Sequence, residues 1–200
     1  MNKPQLLESL KANGFSKPIL KAFEKVPRED FVPEEIKSYS YDDTAHSIGY
    51  AQTISQPYTI AVMLELLKLK PGQKVLEAGS GSGYVLALIS EIVGLKGRVY
   101  GLEIIKELAD KSKETLKDYS NIQVYNRDGN LGLKEKAPFD RILISAACSE
   151  EPKTLLFQLT KGGILVAPIG PDHFMLPIKA IERQGNKFIT KKKIDWFSFV

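Results

Sequence analysis

From Lys74 to Ile169 the chain alternates short apolar runs with stretches of helical spacing, and that order narrows its possible folds more than any other feature. Lys74–Glu77 begins a strand after the turn at Pro71-Gly72, and Tyr84–Val93 has the spacing of a helix. Arg98–Glu103 is a second strand, followed by a helix from Lys106 to about Asp118. Ile122–Asn126 and Phe139–Ser145 are the third and fourth strands. A helix over Glu151–Leu159 and the pair Gly162-Gly163 then lead into a strand at Ile164–Ile169. This rhythm predicts an α/β domain, a mostly parallel sheet with helices on both faces. The ending departs from it. Ile178–Arg183 and Lys187–Val200 are joined directly through Gly185-Asn186, so they form an antiparallel hairpin.

Residues 1–70 read as a helical N-terminal cap, with Leu6, Leu7 and Leu10, then Ile19, Leu20 and Phe23, at helical spacing. Pro27, Pro33 and Pro57 interrupt it. The cap carries no core of its own and packs on residues 71–200, so the 200 residues form one domain.

Composition excludes several classes. No apolar run approaches the ~20 residues that cross a bilayer, and Met1–Gln5 leads into a charged amphipathic stretch, unlike a signal peptide. Cys148 is the only cysteine, which rules out an intrachain disulfide framework and favours the cytoplasm. That residue reads as a small, partly buried hydrophobe and not as a nucleophile. With His46 and His173 far apart, no protein metal site is expected. A net charge of +4 is mild, and Lys191-Lys192-Lys193 reads as a turn or a solvated strand entry, so no nucleic-acid partner is expected.

The segment Glu77-Ala78-Gly79-Ser80-Gly81-Ser82-Gly83 sits where the first strand passes into a helix. Glycines there remove side chains, so a ligand can approach the backbone and the exposed N–H groups of the new helix. A dinucleotide fingerprint requires Gly-x-Gly-x-x-Gly or Ala. Counted from Gly79 the third position is Tyr84, and counted from Gly81 it is Leu86, so neither register fits. The tighter turn suits S-adenosylmethionine, whose amino-acid end bears a carboxylate and an ammonium, and Glu77 can offset the ammonium. Glu103 ends the second strand and can accept both ribose hydroxyls. Asp128-Gly129 closes the third, where Asp128 can accept from an adenine amino group and Gly129 leaves room for the ring.

With these residues in view, the chain resembles the protein-L-isoaspartate O-methyltransferase family. Val26-Pro27-Arg28-Glu29-Asp30-Phe31-Val32-Pro33 is similar to its N-terminal signature, and Thr53-Ile54-Ser55-Gln56-Pro57 to its most specific loop. Leu76–Tyr84 resembles its cofactor turn, while Ala137–Ile142 and Leu159–Gly170 complete the match. The resemblance implies a Rossmann-like class I methyltransferase fold. It implies methyl transfer from S-adenosylmethionine to the α-carboxylate of L-isoaspartyl residues in damaged proteins and peptides, with S-adenosylhomocysteine as product. Ser55 would be the active-site residue. Thr53 and Ile54 would lie beside the cofactor, with Glu77, Gly79, Ser80, Gly81, Ser82, Gly83, Glu103, Asp128 and Gly129 around its pocket. Isoaspartyl chains are then the partners of a monomer.

The chain departs from the family in three places. Ala51 stands for a usual glycine, Ser149 for a common proline, and Gly170–Leu176 lacks a usual glutamine. Methyl transfer to another carboxylate or modified peptide is the alternative reading. A nicotinamide oxidoreductase and a binding protein without catalysis are more distant ones. Asn13-Gly14 is also prone to deamidation, because glycine hinders cyclisation least.

Overall fold

A computed structural model describes residues 1–171 and 175–198. His173 and the end of the strand expected to reach Val200 lie outside the described residues. The chain opens with α1 (Lys3–Ala12) and α2 (Lys17–Lys25). Asn2 and Gln5 cap α1 reciprocally, side chain to backbone in both directions. Leu6 and Leu10 of α1 and Ile19 and Phe23 of α2 are buried as the spacing predicts, joined by Ala22, while Leu7 and Leu20 are half-buried at the margin. At the end of α1, the Gly14 N–H donates to the Lys11 carbonyl and the Asn13 amide to that of Ser9. Both groups needed for cyclisation of Asn13 are thereby engaged.

The remainder of residues 1–70 is not the all-helical cap expected. Short 3-10 turns at Arg28–Phe31 and Glu34–Tyr39 lead to a hairpin of β1 (His46–Gly49) and β2 (Gln52–Ile54). Then comes α3 (Pro57–Leu67), apolar almost all round, with only Tyr58 and Glu65 outside its buried set. Such a helix must be covered on most sides, and α3 packs against sheet strands β6 (Phe139–Ile144) and β7 (Leu159–Pro168). At about 1.5–3 kcal/mol for each large apolar side chain buried, this contact fixes the helix to the sheet. The Arg141 guanidinium also donates to the Leu67 carbonyl at 2.7 Å, closing the end of α3 on β6. α3 therefore belongs to the α/β layer, and the cap is confined to the segments before it.

The main sheet begins with β3 (Lys74–Ala78), followed by α4 (Tyr84–Val93), β4 (Arg98–Glu103), α5 (Lys106–Thr115) and β5 (Ile122–Asn126). After β6 come a single helical turn, α6 (Lys153–Leu156), then β7, β8 (Leu176–Gln184) and β9 (Lys187–Phe197). Strand order is β5-β4-β3-β6-β7-β8-β9; the first five are parallel, and β8 is antiparallel to both neighbours. The basic run Lys191–Lys193 lies inside β9 and not at a turn.

Alternate residues enter opposite cores, as a pleated strand requires. Val75, Val99 and Leu143 join the core beneath α1 to α5. Leu76, Leu102, Ile142 and Ile144 join a second core covered by Leu155 and Leu156 of α6. That second face is thinly covered, because the helix expected over Glu151–Leu159 is one turn long. Pro152 precedes it, and Leu159 already pairs with Phe139 as the first residue of β7. Gly162-Gly163, read as a strand entry, is a bulge within β7: the register steps from Phe139–Leu159 to Arg141–Ile164.

The path β3–β4–β5 runs to one edge, and β6 then returns to the other side of β3. Neighbouring loops leave in opposite directions at the carboxyl ends of β3 and β6. A crevice opens at such a switch point.

Candidate active site

A cavity of about 840 Å³ occupies that crevice, within the ~300–1,000 Å³ typical of small-ligand sites. Gly79 and Gly81 from the glycine turn, Glu103, Asp128 and Gly129 line one side. Thr53, Ser55 and Tyr58 line another, brought there by the hairpin and the start of α3. The Tyr58 N–H donates to Asp43 Oδ1 at 2.8 Å, which pins the first turn of α3 beside the loop carrying Ser55.

Most backbone N–H groups of the glycine turn have partners, chiefly at the end of β4. The N–H groups of Gly79 and Ser80 both donate to the Leu102 carbonyl, at 2.9 and 3.1 Å, and that of Gly83 to Ser80, at 2.8 Å. Gly81 donates to Glu103 Oε2 at 2.8 Å. The expected row of exposed N–H groups is thus largely committed to the fold, and the turn offers close backbone approach instead. Gly83 has a packing reason of its own. Its φ is +86°, and a Cβ there would lie 2.7 Å from Leu116 Cδ1.

Glu103 is 5% exposed, yet it lines the cavity. Its Oε1 accepts the Ile105 N–H at 2.9 Å and its Oε2 the Gly81 N–H, which leaves one lone pair on each oxygen for a ligand hydroxyl. Asp128 Oδ1 accepts from the Asn130 N–H at 2.9 Å, holding the loop after β5. A Cβ on Gly129 would stand 3.0 Å from that of Ala78, so this glycine also lets the β5 loop close on β3.

Glu77 does not line the cavity. It is 1% exposed, and Ser145, which does line the cavity, donates to its Oε1 at 2.6 Å. Its Oε2 has no partner among the described residues. Burial pushes the Glu77 carboxyl up to about 8, and the Glu103 charge adds to the rise against the Ser145 bond. Ile54 also departs from expectation. Successive residues of β2 point to opposite sides, so Thr53 lines the cavity while Ile54 is buried in the core. Ser80 is buried, its hydroxyl without a partner among the described residues, and neither Ser82 nor Gly83 lines the cavity.

Other walls were not singled out as site residues. Ala146, Ala147 and Cys148 follow β6, and Ile194 and Phe197 come from β9. No local pattern marks residues placed by strand order, although the polar Ser145 at the end of an apolar strand was a usable signal. Burial pushes the Cys148 thiol up to about 11, so it stays neutral and a poor nucleophile. Among the described residues no cluster of three or more His, Cys, Asp or Glu side chains is placed to hold a metal, and no helix is long and apolar enough to cross a membrane.

The sequence model of the protein-L-isoaspartate(D-aspartate) O-methyltransferase family matches residues 1–200. The chain is 43% identical over 197 residues to a protein-L-isoaspartate O-methyltransferase of Methanococcoides burtonii, covering 98% of this chain and 96% of that one. A solved protein-L-isoaspartate O-methyltransferase superposes with a TM-score of 0.91 at 29% identity; the match covers all of this chain and 65% of that one. A Plasmodium falciparum structure described as this enzyme, in complex with S-adenosyl-L-homocysteine, gives 0.86 at 27% identity and covers 100% and 97% of the two chains.

Proposed function

The chain belongs to the protein-L-isoaspartate(D-aspartate) O-methyltransferase family, and from that premise we propose how its residues divide the work. It is an S-adenosylmethionine-dependent enzyme that methylates the α-carboxylate of L-isoaspartyl residues, the first step in repairing damaged proteins. One observation carries the assignment of roles: the loop bearing Ser55 and the turn bearing Gly79 and Gly81 face one cavity, with Glu103 and Asp128 beside them.

In this reading Glu103 takes the ribose hydroxyls on its two remaining lone pairs, and Asp128 takes the adenine amino group. Gly79 and Gly81 admit the cofactor close to the backbone, while Thr53 borders it. The volume of the cavity and this donor set fit the cofactor. Glu77 acts from behind Ser145 and does not meet the ammonium directly. When bound, S-adenosylmethionine supplies an electrophilic methyl group. A carboxylic acid is already ionised at neutral pH, so the acceptor needs no general base. This suits a cavity whose thiol is neutral and whose loop beside the acceptor offers the hydroxyl of Ser55 and no basic side chain. The Ser55 hydroxyl donates to one acceptor oxygen and aims the other, so rate comes from alignment.

The reading extends to a monomer acting in the cytoplasm on isoaspartyl proteins and peptides, without nucleic acid or membrane. A single cysteine suits a reducing compartment. Labelled methyl transfer to an isoaspartyl peptide and to its aspartyl twin tests the proposal. Label on the first alone is expected; equal labelling of both would refute it.

A further inference from the structure

Arg28 opens the 3-10 turn Arg28–Phe31 and has no exposed surface. No carboxylate stands within ion-pair distance of it among the described residues. A buried cation without a paired anion is expensive, and an apolar side chain of similar volume would fill the space at lower cost. The guanidinium is held by backbone carbonyls instead. Its Nε donates to Ser40 at 2.7 Å and its Nη2 to Ser55 at 2.8 Å. Its carbon lies 5.0 Å from the centre of the Tyr84 ring.

These contacts join three segments around the site, of which the Ser55 loop lines the cavity. Ser40 follows the second 3-10 turn, Ser55 lies in the loop between β2 and α3, and Tyr84 is the first residue of α4, directly after the glycine turn. Phe23 and Phe31 pack on the same Tyr84 ring, with centroids 6.1 and 5.4 Å away. The ring is thus fixed from three directions. The Ser55 hydroxyl makes no hydrogen bond with any described residue, so only the backbone of its loop determines where it points. Arg28 grips that backbone at the carbonyl of the same residue. We infer that Arg28 is a positioning residue for Ser55, tying its loop through Tyr84 to the start of the cofactor helix.

The inference rests on the reading of Ser55 as the catalytic residue, and the test separates the two. Arg28→Met is the direct variant. Arg28→Lys keeps the charge and a donor, and it carries the test if methionine prevents folding. Each is made with and without Ser55→Ala. Turnover with an isoaspartyl peptide, S-adenosylhomocysteine affinity by calorimetry and thermal unfolding are measured for all. Misplacing a reacting group by about 1 Å costs on the order of a hundredfold, so R28M is expected to lower kcat by roughly that factor and R28K by about tenfold. Cofactor affinity should stay within about twofold. In the S55A background neither change should lower kcat further, because the group being positioned is gone.

A full loss repeated in the S55A background would overturn the inference, as would unchanged kcat in both single variants. So would an R28K chain that does not fold, since Arg28 would then support the domain and not the loop. If S55A alone is as active as the unaltered chain, the reading of Ser55 fails, and the inference with it.

Discussion

The Glu103 carboxylate accepts the Gly81 N–H at 2.8 Å, so the acid closing β4 and the glycine turn after β3 form one hydrogen-bonded unit. Its other oxygen holds the Ile105 N–H at 2.9 Å. A carboxamide has one acceptor oxygen in place of two, so Glu103→Gln strands one of these N–H groups and weakens any ribose contact. Losses of about 1–3 kcal/mol predict that S-adenosylhomocysteine binds roughly ten- to a hundredfold more weakly. Titration calorimetry measures this directly, and an unchanged Kd would remove Glu103 from the ribose role.

Ser55 is asked only to aim the acceptor. Ser55→Ala should therefore lower kcat by about a hundredfold or more and leave cofactor affinity within about twofold. Steady-state kinetics and calorimetry on one preparation give both values. A parallel loss of affinity would mean that Ser55 belongs to the cofactor pocket.

Glu77 makes stability depend on pH in an unusual direction. Its carboxyl is raised from 4.5 to about 8 in the folded chain, so between those values the folded state holds the extra proton. The stability it contributes is complete below 4.5 and is lost as pH rises through about 8. Glu77→Gln should flatten that decline and make the variant the more stable chain at about pH 9, by a few kcal/mol. Thermal melts from about pH 5 to about pH 9 test it, and parallel curves would contradict the burial argument.

Tyr50 and Ala51 turn the hairpin of β1 and β2, and both have φ of +56°. The alanine that replaces a familiar glycine is thus a matter of backbone conformation more than of bulk. In the left-handed region a Cβ costs about 1 kcal/mol. Ala51→Gly should raise stability by about that amount, less the added entropy of the unfolded chain. Denaturant unfolding resolves the difference, and a loss of stability would show that the turn is unstrained.

Much of this was legible along the chain. Val75 and Leu76 enter opposite cores because a strand alternates, and that period can be read from residue order alone. The parallel sheet and its antiparallel end follow from the lengths of the connections. Thr53 and Ile54 mark a limit of residue order: both are expected beside the cofactor, but alternation along β2 sends them to opposite sides. The short α6 is not legible in residue order, because Leu159 is taken into β7 by its pairing with Phe139, a partner twenty residues earlier.

Sequence alone determined the identity of the turn, the loop and the acids at the strand ends, because each is a local pattern with a local physical cause. It could not determine that Ile194 and Phe197 would line the same cavity as Ser55, that the turn's N–H groups would be spent on Leu102 and Glu103, or that Arg28 would hold the Ser55 carbonyl. Those contacts join residues far apart in the chain. They exist only once β6 has returned beside β3 and the two hydrophobic cores have closed.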